Sequence, residues 1–192
     1  MCIRDRSSIA QVDKSMLMQS TDGIAENESE NQSVSMIVPK APENMGDYID
    51  LVSAENGSNL EVKSGSVIIT QKLAKLLDLK TGDTITIKLS GHEEKEFKIG
   101  GVSKNYALHY IYITPDDFES VYGEKPVYNL SFIDLKKDTD ENSFKEQLIS
   151  NDEFYGISFK NDSSRGFLNS VDSLDAIAVS YTHLTLPTKL EV

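Results

Sequence analysis

The stretch VIITQKLAKLLDLKTGDTITIKL, residues 67–89, constrains the fold more than any other part of the chain. Its hydrophobic period changes twice. Val67-Ile68-Ile69-Thr70 is a short apolar run with the β-branched composition of a strand. From Gln71 to Leu77 the residues Leu73, Leu76 and Leu77 make one helical stripe, with Thr70 at the N-cap position. Leu79-Lys80-Thr81-Gly82-Asp83 reads as a turn, because Gly82 can take φ > 0 and Asp83 tolerates a tight bend. Thr84 to Leu89 then alternates strictly, with Ile85, Ile87 and Leu89 on one face. Ser90-Gly91-His92 turns the chain into a second strand, Glu96 to Val102, where Gly100-Gly101 predicts a bulge or bend. This order predicts a β-rich, small-barrel-like unit over Val67 to Ile113.

The flanks are read by the same rules. Lys14 to Gly23 and Gln32 to Val38 predict a hairpin around a long acidic loop, AENESEN, closed off by Pro39 and Pro42. Asn44 to Leu51 predicts a short helix, and Asn56-Gly57-Ser58 a turn. After a strand at Tyr110 to Ile113, Thr114-Pro115-Asp116-Asp117 carries the signals of a helix start: a capping hydroxyl, Pro at the first position and acids in the first turn. Phe118, Val121 and Tyr122 face inward and Gly123 closes the helix. Strand Val127 to Leu135, helix Asp140 to Ile149 and strand Phe154 to Phe159 follow, a right-handed crossover with parallel strands if both lie in one sheet. With the N-terminal hairpin they predict a second, α/β unit. The expected fold class is α+β.

The two ends of the chain do not fit this pattern. Val179-Ser180-Tyr181-Thr182-His183 back-translates to a DNA stretch whose reverse complement encodes Met1-Cys2-Ile3-Arg4-Asp5. That element resembles the transposon mosaic end used in sequencing-library preparation, and Leu184 to Thr188 fit the adapter that follows it. The expectation is that residues 1–6 and 179–192 are adapter-derived tails, set aside before reading a fold. Residues 7–178 are then the native fragment.

This division changes the composition. The single cysteine, Cys2, lies in a tail, so the native fragment offers no disulfide and no thiol chemistry. The chain carries 19 basic and 31 acidic residues; three of the former and two of the latter fall in the tails, which leaves a net charge of −13. A chain this acidic, with no compensating basic run, repels phosphate backbones and anionic membrane surfaces, so nucleic-acid binding is not expected. No run of about 18 apolar residues is present to cross a bilayer.

Few residues suggest chemistry. His109, among Tyr106, Tyr110 and Tyr112, could line an aromatic ligand site, but a strand packing alternate residues inward with a hydrogen-bonded His109 accounts for the same pattern. Asp116, Asp117 and Glu119 could pair carboxylates, although helix capping already explains the first two. Glu26, Glu28 and Glu30 lack the Gly-Asp pattern of a calcium loop and read as a solvated run. Ser163-Ser164 beside Arg165 has no catalytic partner, and no nucleophile elbow, phosphate loop or His/Cys metal spacing occurs. No catalytic, cofactor-binding or metal-binding residue is expected, and no cofactor.

Residues 67–89, together with SKNYALHYIYITPDDFESVYG and SFKNDSSRGFLNSVDSLDAIA, resemble the large extracytoplasmic domain of FtsX/MacB-like ABC transporter permeases of the Firmicutes type. The likeness covers most of Val34 to Ile177. The resemblance implies a MacB-like periplasmic core fold, non-enzymatic, in which the L-K-x-G-D-x-I-x-I segment belongs to a small β-rich subdomain. It implies that Ser173-Leu174-Asp175-Ala176-Ile177 lead into a transmembrane helix, and that the segment lies outside the cytoplasm in a membrane-anchored parent. The implied partners are a cytoplasmic ABC ATPase, a second permease copy and an extracellular protein, peptide or lipid. The implied role couples ATP hydrolysis to handling such a ligand or to control of a cell-wall enzyme. A stand-alone β-barrel-type binding or adhesion module is the alternative.

Overall fold

The computed structural model describes residues 11–27, 30–105 and 108–149. The described residues up to 136 form one compact unit, and those from 137 to 149 belong to a second.

In the first unit, strands β1 (Val12–Glu26), β2 (Asn31–Pro39), β3 (Val67–Thr70), β4 (Thr84–Leu89), β5 (Glu94–Ser103), β6 (Tyr110–Tyr112) and β7 (Leu130–Leu135) are joined by helices α1 (Gln71–Leu76) and α2 (Pro115–Tyr122). The strands form one mixed sheet in the order β2-β6-β3-β5-β4-β1-β7, and β1 pairs with β2 as well. The pairings therefore run in a circuit from β2 round to β1 and back, with β7 outside it. The length of β1 makes this possible. Met18 to Glu26 pair with β2 on one side, while on the other Gly23 to Glu26 pair with β4 and Val12 to Met18 with β7. The β2–β6 and β3–β5 pairs are parallel and the others antiparallel. The result is a curled α+β sheet rather than a regular barrel.

Alternation fills the interior of the curl. Ala25, Val34, Met36, Val38, Ile69, Ile85, Ile87, Ile99, Ile111 and Ile113 pack there with Leu73 and Leu77 near α1 and Phe118 of α2. Complete burial of one such aliphatic side chain contributes about 2 kcal/mol. A second cluster lies on the opposite face, where Met16, Met18, Ile37, Ile68 and Tyr112 are covered by Met45, Leu51 and Val62. Met45 comes from a 3-10 helix, Pro42–Asp47, which overlaps only the first half of the helix expected over Asn44 to Leu51.

The α2 reading holds in detail: the Thr114 hydroxyl accepts from Asp117 N at 3.2 Å, Pro115 opens the helix, and Gly123 ends it at φ 74°. The turn before β4 holds too. Gly82 lies at φ 96°, and the Asp83 carboxylate accepts from Lys80 N at 2.9 Å. The Gly100-Gly101 bulge appears as a register shift, with Val67 opposite Ile99 but Ile68 opposite Gly101.

Other expectations are corrected. The N-terminal hairpin belongs to the same sheet as the central strands and not to a separate α/β unit, because β4 needs a partner edge and β1 supplies it. Its loop is shorter than expected, since the strands take in Ala25, Glu26 and Asn31 of the acidic segment and leave residues 27–30; Asn27 N donates to Glu30 O at 3.0 Å and Glu30 N to Asn27 Oδ1 at 2.8 Å. Leu76 leaves the predicted stripe and is 40% exposed, while Leu73 and Leu77 are fully buried. Thr70 occupies the N-cap position of α1 without capping it; its hydroxyl donates instead to Leu108 O at 3.4 Å.

In the second unit, helix α3 (Glu141–Ile149) forms within one residue of its expected span, with Phe144 and Leu148 buried. Asp140 precedes it, accepting from Ser143 Oγ at 2.6 Å and from the backbone of Asn142 and Ser143. These bonds, the Ser143 side chain first, hold the Asp140 carboxyl below its usual range. The predicted strand Phe154 to Phe159, the stalk helix around Phe167 to Ala178 and both proposed tails lie outside the described residues.

Candidate functional site

The residues singled out in the sequence fall into separate places. His109 and Tyr110 line one open cleft, while Tyr112 is buried in the core and takes no part in it. Tyr112 is 2% exposed inside the second cluster, 6.2 Å from Tyr110, and burial pushes both phenols up. The strand is buried on both faces, not solvated on one, because Ile111 and Ile113 point into the first cluster. The His109 imidazole lies 3.1 Å from Ser33 O through Nδ1, which is the structural role expected for it. Its Nε2 is buried without a hydrogen-bond partner among the described residues. Tyr106 lies outside the described residues.

The acidic candidates are absorbed by the fold. Asp117 donates the capping bond from its backbone N–H to the Thr114 hydroxyl and accepts from Gly65 N through Oδ2 at 2.8 Å, tying α2 to the turn before β3. Glu30 takes part in the β1–β2 loop through its backbone, and Glu28 lies outside the described residues, as do Ser163, Ser164 and Arg165. Among the described residues no cluster of His, Cys, Asp and Glu could hold a metal ion, and no helix is long and apolar enough to cross a membrane.

What the fold builds instead is an open cleft of about 740 Å³ over one end of the curl. The β1 segment Asp22-Gly23-Ile24, the β2 segment Ser33-Val34-Ser35, the β4–β5 turn from Lys88 to His92, the segment Leu108-His109-Tyr110 and Lys72 of α1 line it. Gly23 sits at its floor. A Cβ there would come within 2.6 Å of Lys88 O and 2.9 Å of Leu89 Cδ2, so only glycine lets β1 lie this close to β4. Leu108 holds φ 62°, a region leucine rarely adopts, and projects outward at 62% exposure. His92 bridges the turn to the end of α2: Nε2 is 3.0 Å from Glu124 Oε1, and the ring stands edge-on to Tyr122 with centroids 4.9 Å apart. Burial pushes the Tyr122 phenol up to about 12. The sequence reading missed this cleft, since its members lie on five segments without a shared local motif.

No protein-family model and no curated protein sequence matches the chain. The fold has solved counterparts. The chain is similar to the extracellular domain of the noncanonic ABC-type transporter YknZ from Gram-positive bacteria, at 16% identity and a TM-score of 0.50 over 73% of this chain and 72% of that one. It is also similar to the periplasmic region of MacB from Actinobacillus actinomycetemcomitans, at 13% identity and a TM-score of 0.47 over 74% of this chain and 66% of that one. The chain thus has the mixed α+β fold of an extracellular domain of an ABC-type transporter.

Proposed function

We propose that the chain is the extracytoplasmic domain of an FtsX/MacB-like ABC transporter permease, fixed in a cell membrane through transmembrane helices outside residues 7–178. The observation that supports this best is the agreement of two independent likenesses: the sequence resemblance over Val34 to Ile177 and the fold shared with the YknZ extracellular domain over 73% of the chain. In this reading the domain is moved by helices driven by a cytoplasmic ABC ATPase, next to a second permease copy. It handles a lipid, lipoprotein or peptide, or controls a cell-wall enzyme. It has no catalytic role of its own. The adapter-derived tails replace the parent's continuation at both ends.

Topology is the test. In a parent protein otherwise free of cysteine, Glu55→Cys places a thiol on an exposed loop position. Labelling of that thiol in intact cells by a membrane-impermeant maleimide is the expected result. Labelling only after lysis contradicts the reading and favours a module that functions elsewhere.

A further inference from the structure

The cleft over the end of the curl reverses the character of the chain. Acids outnumber bases 31 to 19 in the sequence. Along the cleft, Lys72 and Lys88 face a single carboxylate, Asp22, which is already engaged by Ser35 Oγ at 2.8 Å. Two imidazoles, His92 and His109, and the Tyr110 phenol complete the titratable lining. Lys88 shares an exposed ion pair with Glu94 at 3.1 Å, and such pairs hold little energy against an incoming anion. Lys72 forms no ion pair within 4.0 Å among the described residues.

The apolar surface points to the same place. Four large hydrophobic residues are exposed among those described, and two of them, Ile24 and Leu108, line this cleft. Leu108 is held there in a left-handed conformation that a residue of its type rarely adopts. A strained backbone that presents a leucine to solvent is not explained by packing.

The third feature is a strand edge. Ser35 N donates to His109 O and Ser33 O meets the His109 ring, so the odd-numbered residues of β2 point their backbone groups away from β1. Pairing with β6 begins only at Ser35. Before it, β2 has no strand neighbour on that side among the described residues, beside the cleft. Ser33 O is held by the His109 ring, so Ser33 N and the backbone of Asn31 are the groups this edge offers to an extended chain, hydrogen bonds that a lipid cannot provide.

We infer that this cleft binds an extended peptide segment of a partner protein in which acidic and large apolar side chains alternate. The backbone adds along the start of β2, carboxylates meet Lys72 and Lys88, and apolar side chains cover Ile24 and Leu108. The inference does not depend on the permease reading.

The test uses the ¹⁵N-labelled chain and three probes: an end-capped decapeptide of alternating Asp and Leu, its alternating Lys and Leu counterpart, and phosphatidylglycerol vesicles. The expected result is that the acidic peptide alone moves the amides of Ile24, Ser33, Lys72 and His109. Lys72→Glu weakens it about fivefold. Leu108→Asn weakens binding too while the melting temperature holds or rises, since Asn suits φ 62° better than Leu. Absence of these shifts, equal shifts from both peptides, or unchanged affinity in both variants overturns the inference. Shifts from the vesicles but not from the peptides overturn it in favour of a lipid surface.

Discussion

At Gly100 a single missing methyl group sets the course of two strands. The residue is the extra one in the β3–β5 register, and a Cβ there would press on the Ser66 side chain, within 2.8 Å of its Cβ. Gly100→Ala is expected to cost about 1–3 kcal/mol by denaturant unfolding. Adding Ser66→Gly should recover most of that loss, because the contact is with side chain and not backbone. An additive double variant would show that the bulge is required for another reason. Tyr122 gives a second test at this scale. Its hydroxyl is buried without a hydrogen-bond partner among the described residues, and burial pushes its pKa from 10.0 up to about 12. A raised acid pKa leaves stability intact below pH 10 and removes it as pH climbs toward 12, since only the unfolded chain ionises freely there. Tyr122→Phe should therefore leave stability at pH 7 unchanged or slightly higher and flatten the alkaline decline measured by thermal unfolding. Single residues were legible in the sequence where backbone geometry demanded them, as at Thr114, Pro115, Gly82 and Gly100. Thr70 was not, because its hydroxyl is drawn to Leu108 O, a carbonyl far away in the chain.

Among the elements, β1 shows where local pattern stops being informative. Only part of its length has a buried face of its own; Asp22, Ile24 and Glu26 are wholly or partly exposed on the half that pairs with β4. A sequence so polar reads as loop, and pairing on both sides makes it strand. The gap between the β4 and β7 pairings on β1 is filled by a side chain. Asn129 accepts from Ser20 N through Oδ1 at 2.7 Å and donates from Nδ2 to Ser20 O at 2.8 Å, a side-chain amide standing in for a strand residue. Asn129→Ala is expected to lose about 1–2 kcal/mol. Asn129→Asp should lose at least as much at pH 7, because a carboxylate cannot donate to Ser20 O; equal stability of Asp and Asn forms in chemical unfolding would refute this role. Helix α2, by contrast, carries both caps, Pro115, its first-turn acids and its inward face within the continuous run from Thr114 to Gly123, which is why it is legible almost residue for residue. The cleft was illegible for the opposite reason: Ile24, Lys72, Lys88 and Leu108 share no period and meet only through the circuit of strand pairing.

For the whole molecule, the sequence gives the α+β class and the order of most elements, yet not that the N-terminal hairpin and the central strands are one sheet. That fact depends on β4 and β1 pairing across some 60 residues, a choice made by tertiary packing. The proposed tails, residues 1–6 and 179–192, are expected to be dispensable, with the trimmed chain within about 1 kcal/mol of the full one in thermal unfolding. A much lower melting temperature for the trimmed chain would give them a structural role. The central claim is that this domain stands outside a membrane on helices of its parent, and the parental gene tests it most directly. Sequencing that gene across the positions of Ser7 and Ile177 should show no MCIRD or VSYTHLTLPT, and about 20 predominantly apolar residues should follow Ile177, the length needed to cross a bilayer. A polar continuation or a natural stop codon just after Ile177 would contradict the account.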